Sequence, residues 1–194
     1  MSIKKENEIT VKVTCLKEEL VDFLQQTGFK EGVKFSLDDY YFIPSNLKIE
    51  NMSTRDIISK AIILRYNVEG DKVLQRITFK KKDIAKNGDI VNQTAINCDV
   101  YNIEEAKNIF KAINYNEIMN IKEDDIVYWK DNFKLAVKFI DNSDILIEIE
   151  TDENSEWDTI EKIKNKICEL NLPIAKDDFF IKKAENELNK ILRR

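Results

Sequence analysis

The chain has 194 residues, 43% hydrophobic and 35% charged, with 31 basic against 36 acidic side chains and no histidine. The missing imidazole excludes serine or cysteine catalysis through a histidine base, phosphohistidine chemistry and zinc sites built on histidine. Any chemistry falls to carboxylates, lysine, arginine, tyrosine or a metal held by oxygen.

The length suits a single domain spanning 1–194, with enough apolar residues for a core. Four glycines and two prolines leave little material for linkers or a Gly-rich phosphate loop. No apolar run approaches a membrane span, and Met1-Ser2-Ile3-Lys4-Lys5 lacks the apolar stretch of a signal peptide. The expectation is a cytoplasmic protein with no membrane partner. Cys15, Cys98 and Cys168 are far apart and outside any C-x-x-C spacing, so they suggest neither a disulfide framework nor a thiolate zinc site. A net charge of −5 argues against nucleic acid as a partner.

From Glu8 to Val13 polar and apolar residues alternate, which predicts a strand with Glu8, Thr10 and Lys12 on one face. Leu16, Leu20, Phe23 and Leu24 then recur at helical spacing up to Gly28, a natural helix end. Strands are predicted over Lys34–Ile43 and Ala61–Val68. The turn Glu69-Gly70-Asp71 returns the chain into a strand from Val73 to Lys82 with Arg76, Thr78, Lys80 and Lys82 aligned. Ile90–Val100 reads as a further, less regular strand.

Asn102 caps a helix predicted over Ile103–Ile113. Glu117–Trp129 follows as one strand or a bent pair, then Phe133–Ile140 and Ile145–Thr151, the last with Glu148 and Glu150 on one face. Ser155 is the expected cap of a helix striped by Trp157, Ile160, Ile163, Ile167 and Leu170, and a final helix is expected from near Asp177. About eight strands in antiparallel hairpins, with helices 155–193 packed on them, indicate an α+β fold.

Several strands each align an ionic group: Glu8 and Lys12, Arg65, Arg76 with Lys80 and Lys82, Glu148 with Glu150. A solvated sheet face carries such residues routinely. If the sheet closes into a barrel, however, these faces converge on its interior. Cations there would hold phosphate oxygens, and carboxylates would hold Mg²⁺ or Mn²⁺.

Glu8-Ile9-Thr10-Val11-Lys12 resembles the N-terminal E-x-E-x-K signature of the CYTH superfamily, the triphosphate tunnel metalloenzymes that include class IV adenylyl cyclases and thiamine triphosphatases. Asp39-Tyr40-Tyr41-Phe42 resembles that family's D-x-Y-F strand, Ala61-Ile62-Ile63-Leu64-Arg65 its L-R-x-R strand, and Ile77-Thr78-Phe79-Lys80 its L-T-[YF]-K strand. Lys122 falls where a K-x-R strand would, Ile140-Asp141 matches the L-D element, and Glu148-Ile149-Glu150 matches the E-I-E strand. The resemblance runs in order from Glu8 to the final helices.

It implies an eight-stranded antiparallel barrel, open as a tunnel, that binds a triphosphate, nucleotide or polyphosphate with divalent metal. Glu8, Asp141, Glu148 and Glu150 would be metal ligands. Lys12, Arg65, Lys80 and Lys122 would contact phosphates, with Arg76 and Lys82 as secondary candidates; Lys12 and Glu8 carry the implied catalytic roles. The implied activity is triphosphate hydrolysis or ATP cyclisation. The oligomeric state is left open, a homodimer being one option.

The sequence departs from the pattern at telling positions. Thr10 replaces the second glutamate, Asn67 the second arginine of L-R-x-R, and Asp124 the arginine of K-x-R. Each charge-assisted hydrogen bond to phosphate contributes about 1.5–3 kcal/mol, so two lost contacts would weaken binding by a few orders of magnitude unless Arg76 or Lys82 compensates. The departures therefore also raise a tunnel that binds such anions without turnover.

Overall fold

A computed structural model describes residues 6–84, 90–152 and 155–192; environments of side chains 6–7, 81–84, 90–93 and 152 lie outside the description. The period-two segments form eight strands: β1 (Glu6–Lys12), β2 (Lys30–Pro44), β3 (Ile62–Glu69), β4 (Lys72–Ile84), β5 (Ile90–Asp99), β6 (Tyr115–Lys130), β7 (Phe133–Ile140) and β8 (Ile145–Asp152). They make one antiparallel sheet in the order β1-β8-β7-β6-β2-β3-β4-β5. The segment expected as one strand or a bent pair is the single strand β6, carrying an irregularity where its register on β2 shifts between Tyr41 and Phe42.

The helices are α1 (Lys17–Gln26), α2 (Thr54–Ile58), α3 (Ile103–Ala112), α4 (Ile160–Glu169) and α5 (Lys183–Leu192). Gly28, at φ +88°, ends α1 in the left-handed conformation glycine tolerates best. Asn102 caps α3, accepting from the backbone N–H groups of Glu104 and Glu105 at 3.0 and 3.2 Å. The five-residue α2 is too short to show a helical period, yet its cap is clear: Ser53 Oγ accepts from Asp56 N at 3.1 Å.

Two helix starts differ from expectation. Ser155 accepts from Trp157 N at 3.2 Å in a turn, and Thr159 caps α4, accepting from Lys162 N at 3.3 Å. The last helix begins at Lys183 because the chain before it is extended along β1. Thr14 N donates to Pro173 O (2.9 Å), Ala175 N to Lys12 O (2.8 Å), Thr10 N to Phe179 O (3.2 Å) and Ile181 N to Thr10 O (3.0 Å). These bonds use the outer edge of β1 that a closed barrel would pair with β5. The sheet curls until β1 and β5 approach, but among the described residues no ladder joins them.

Both faces of the sheet are covered. Ile9, Val11, Val137, Ile147 and Ile149 point outward into a core with Leu20 and Leu24 of α1 and Ile163 and Ile167 of α4. Phe42 and Leu64 pack outward on Ile103, Ala106 and Phe110 of α3. On the inner face Tyr41, Ile63, Met119, Ile121, Ile140 and Leu146 meet Ile57 of α2 and Leu188 of α5. Part of the expected open tunnel is thus filled by an apolar plug, and the charged residues lie beside it. No helix is long and apolar enough to cross a membrane, among the described residues.

Candidate functional site

The inner face encloses a cavity of about 440 Å³ next to the plug. Glu8 and Thr10 of β1, Arg65 and Asn67 of β3, Lys80 of β4, and Glu148 and Glu150 of β8 line it. Strand register brings them there: Glu8 stands opposite Glu150 and Thr10 opposite Glu148. Two unpredicted elements complete the wall, Arg55 near the start of α2 and the segment Phe180–Glu185, which adds Lys182 and Lys183. Tyr41, Ile58, Ala61 and Ile63 supply its apolar side.

Arg65 is held in place by a two-point ion pair. Its Nε and Nη2 donate to the two carboxylate oxygens of Asp39 at 2.7 and 2.6 Å, and Asp39 is 1% exposed. The planar fork leaves its remaining N–H groups for the cavity. Burial pushes the Asp39 carboxyl up, but the hydrogen bonds and charge of Arg65 outweigh it and hold the group below the usual carboxylate range. Asp39 is the residue matched to the D-x-Y-F strand, to which no site role was assigned.

The opposite wall contains a buried ionic network that the sequence did not reveal. Lys138 of β7 lies 2.9 Å from Asp125, 3.3 Å from Glu148 and 3.8 Å from Glu123, and Lys183 reaches Glu123 at 2.6 Å. Burial would favour the neutral amine of Lys138, yet Glu148, Glu123 and Asp125 together raise its pKa and keep it an ammonium. Burial likewise opposes the charge of Glu148, but Lys138, Lys183 and Lys80 hold that carboxyl below its ordinary range. Asp125 goes the other way, pushed up to about 6, chiefly by burial and despite Lys138. Glu123 Oε2, Asp125 Oδ1 and Asn67 Oδ1 are buried without a hydrogen-bond partner.

The remaining sequence candidates lie elsewhere. Lys12 shares the inner face but sits at its end, half-exposed, paired with Asp144 at 2.8 Å outside the cavity. Arg76 stands opposite Arg65 on β4 and is bound at the rim to Asp99, 2.6 Å away. Lys122 points to the other face, because the β2–β6 register turns Glu123 inward beside Leu37; it stays exposed, 4.0 Å from Asp38. Asp124 shares that outward face. Asp141 is exposed just after β7, its N–H donating to Lys122 O at 2.9 Å. The side chain of Lys82 lies outside the described residues.

Of the expected metal ligands, Glu8, Glu148 and Glu150 line the cavity and Asp141 does not. Among the described residues no three His, Cys, Asp or Glu side chains are grouped to hold one metal ion. Asp141 does not line the cavity, Thr10 offers a neutral hydroxyl, and Glu148 is engaged by Lys138. As these side chains stand, the donor set does not fit a divalent cation, which takes several oxygens at about 2.0–2.6 Å.

No protein-family model matches the chain, and no curated protein matches it. Solved structures do. PH1819 from Pyrococcus horikoshii OT3 is similar over 96% of this chain and 99% of its own, with TM-score 0.72 and 15% identity. The eight antiparallel strands with flanking helices are the α+β fold that the resemblance implied, with the sheet left unclosed between β1 and β5 among the described residues. A proposed adenylate cyclase from Vibrio parahaemolyticus is similar over 97% of this chain and 99% of its own (TM-score 0.59, 10% identity). HpAC1 from Hippeastrum, a proposed adenylyl cyclase described as having a dominant triphosphatase activity, is similar over 88% and 90% (TM-score 0.54, 12% identity). At these identities the likeness is one of fold, and function rests on the site.

Proposed function

We propose that the cavity binds the phosphate chain of a small triphosphate-bearing molecule, a nucleotide or an inorganic polyphosphate. The observation that carries this reading is the convergence of Arg65, Lys80, Lys182, Lys183 and Arg55 on one cavity, with Arg65 pre-oriented by Asp39. A volume of about 440 Å³ suits a small ligand. Phosphate oxygens would accept from the free edge of the guanidinium and from the lysine ammoniums, and the apolar wall would shield those contacts from water. The fold shared with a triphosphatase and proposed cyclases supports the same ligand class.

A second reading, turnover with Mg²⁺ or Mn²⁺ as hydrolysis or ATP cyclisation, is favoured by one observation: Glu8, Glu148 and Glu150 line the same cavity on adjacent strands. Metal there would have to displace Lys138 from Glu148. The test incubates the protein with tripolyphosphate, thiamine triphosphate or ATP plus either metal, and measures released phosphate, pyrophosphate and cyclic AMP alongside thermal stabilisation. Stabilisation without product is expected for the binding reading, and product establishes turnover. Neither effect with any of the three compounds would end both readings.

A further inference from the structure

We infer that Lys138 is a built-in cation, occupying with its ammonium the place between carboxylates where a divalent ion would otherwise be needed, so that the cavity takes its anion without metal. This rests on the anion-binding reading above and specifies how that site is charged. The ammonium has three N–H donors and faces three carboxylates, Asp125, Glu148 and Glu123, at 2.9, 3.3 and 3.8 Å. Its side chain is 8% exposed, so water does little to screen these charges.

The arrangement settles a problem of charge. A phosphate chain entering beside Glu123 and Glu148 meets like charge, and an unbalanced buried carboxylate is strongly unfavourable. Metal commonly resolves this by bridging carboxylate and phosphate oxygens. Here β7 places a lysine at the one inner position that stands opposite Asp125 on β6 and Leu146 on β8. Lys183 adds a second ammonium on Glu123, at 2.6 Å. The carboxylates are then occupied in holding lysines, consistent with the lack of any grouped metal-ligand set among the described residues.

The experiment has two arms on the whole protein. In the first, calorimetry follows tripolyphosphate binding in EDTA and then with added MnCl₂. The wild type is expected to bind in EDTA, Lys138→Arg to retain that binding, and Lys138→Gln to lose it by about tenfold or more, since three carboxylates would face the anion without their cation. Binding by the wild type only after Mn²⁺ is added would overturn the inference while leaving the anion-binding reading intact. So would equal binding by Lys138→Gln in EDTA.

The second arm needs no anion. Electron paramagnetic resonance with MnCl₂ alone should show no saturable site in the wild type and a new one in Lys138→Gln, which has three carboxylates left around the vacated position. Saturable Mn²⁺ binding by the wild type, abolished by Glu148→Gln, would overturn the inference. Should Lys138→Gln fail to fold, the wild-type measurements decide in both arms. Absence of tripolyphosphate binding under every condition would instead retire the anion-binding reading, with the Mn²⁺ arm still deciding on Lys138.

Discussion

Replacing Asp39 by asparagine removes the anion that fixes Arg65 while keeping the side chain's volume. The pair is bidentate, at 2.7 and 2.6 Å, with side chains 1% and 25% exposed for Asp39 and Arg65. Removing one partner of a fully buried ion pair costs about 3–5 kcal/mol. Arg65 keeps a quarter of its side chain exposed, and the asparagine oxygen can still accept one hydrogen bond, so the expectation is discounted to about 2–3 kcal/mol. For a chain of this length that corresponds to a fall in Tm of roughly 4–12 °C. Urea unfolding at neutral pH gives the difference directly. Repeating it down to acid pH tests the cause. The folded-state pKa of Asp39 is lowered, so its contribution is present above the unfolded value of about 3.9 and is lost as pH falls through the folded value. The gap between wild type and Asp39→Asn should be widest near neutrality and close in strong acid. A neutral-pH difference below about 0.5 kcal/mol, or one unchanged by acid, would refute the assignment of Asp39 as the anchor of Arg65.

Asp125 should show the opposite pH dependence. Its pKa is raised to about 6, so its contribution is fully present below the unfolded value of about 3.9 and declines as pH rises through about 6. Wild-type stability relative to Asp125→Asn should therefore fall between pH 4 and 7, by at most about 2–3 kcal/mol, and a flat difference in urea titrations would contradict the burial argument. Lys183→Met strips the closest cation from buried Glu123, and chemical denaturation should report a loss of about 1–3 kcal/mol, with Lys183→Arg largely restoring it. Gly28→Ala meets no neighbour within 4 Å, so the φ of +88° alone should make it destabilising by about 1 kcal/mol in the same assay.

Much of the fold was legible because alternating residues report strand faces locally. Ile9 and Val11 against Glu8 and Thr10, or Ile147 and Ile149 against Glu148 and Glu150, give both the strands and the side on which charge is placed. Glu8, Arg65, Lys80, Glu148 and Glu150 accordingly reach the cavity. Lys122 misled because three acids follow it, and only the register of β6 on β2 shows that Glu123 and Asp125 are the inward members. Asp141 lies one residue beyond β7, where alternation no longer fixes a direction. Lys138 carried one faint signal, a lysine at an inner position of the otherwise apolar run Leu135–Ile140. Lys183 carried none, since its approach to Glu123 spans 60 residues and depends on the extended segment along β1. The closing of the barrel failed for that same reason: tertiary pairing at the edge of β1 is invisible to local pattern.

Whether the cavity is an anion site that uses the strand-borne cations Arg65 and Lys80 is decided most directly by titrating inorganic tripolyphosphate into wild type, Lys80→Ala and Lys122→Ala at low ionic strength. Lys80 lines the cavity and Lys122 lies on the other face. Binding by the wild type should weaken roughly 10- to 150-fold in Lys80→Ala, the equivalent of one charged hydrogen bond, and stay within about twofold in Lys122→Ala. No binding by the wild type, or equal losses in the two variants, would rule out this cavity as the anion site.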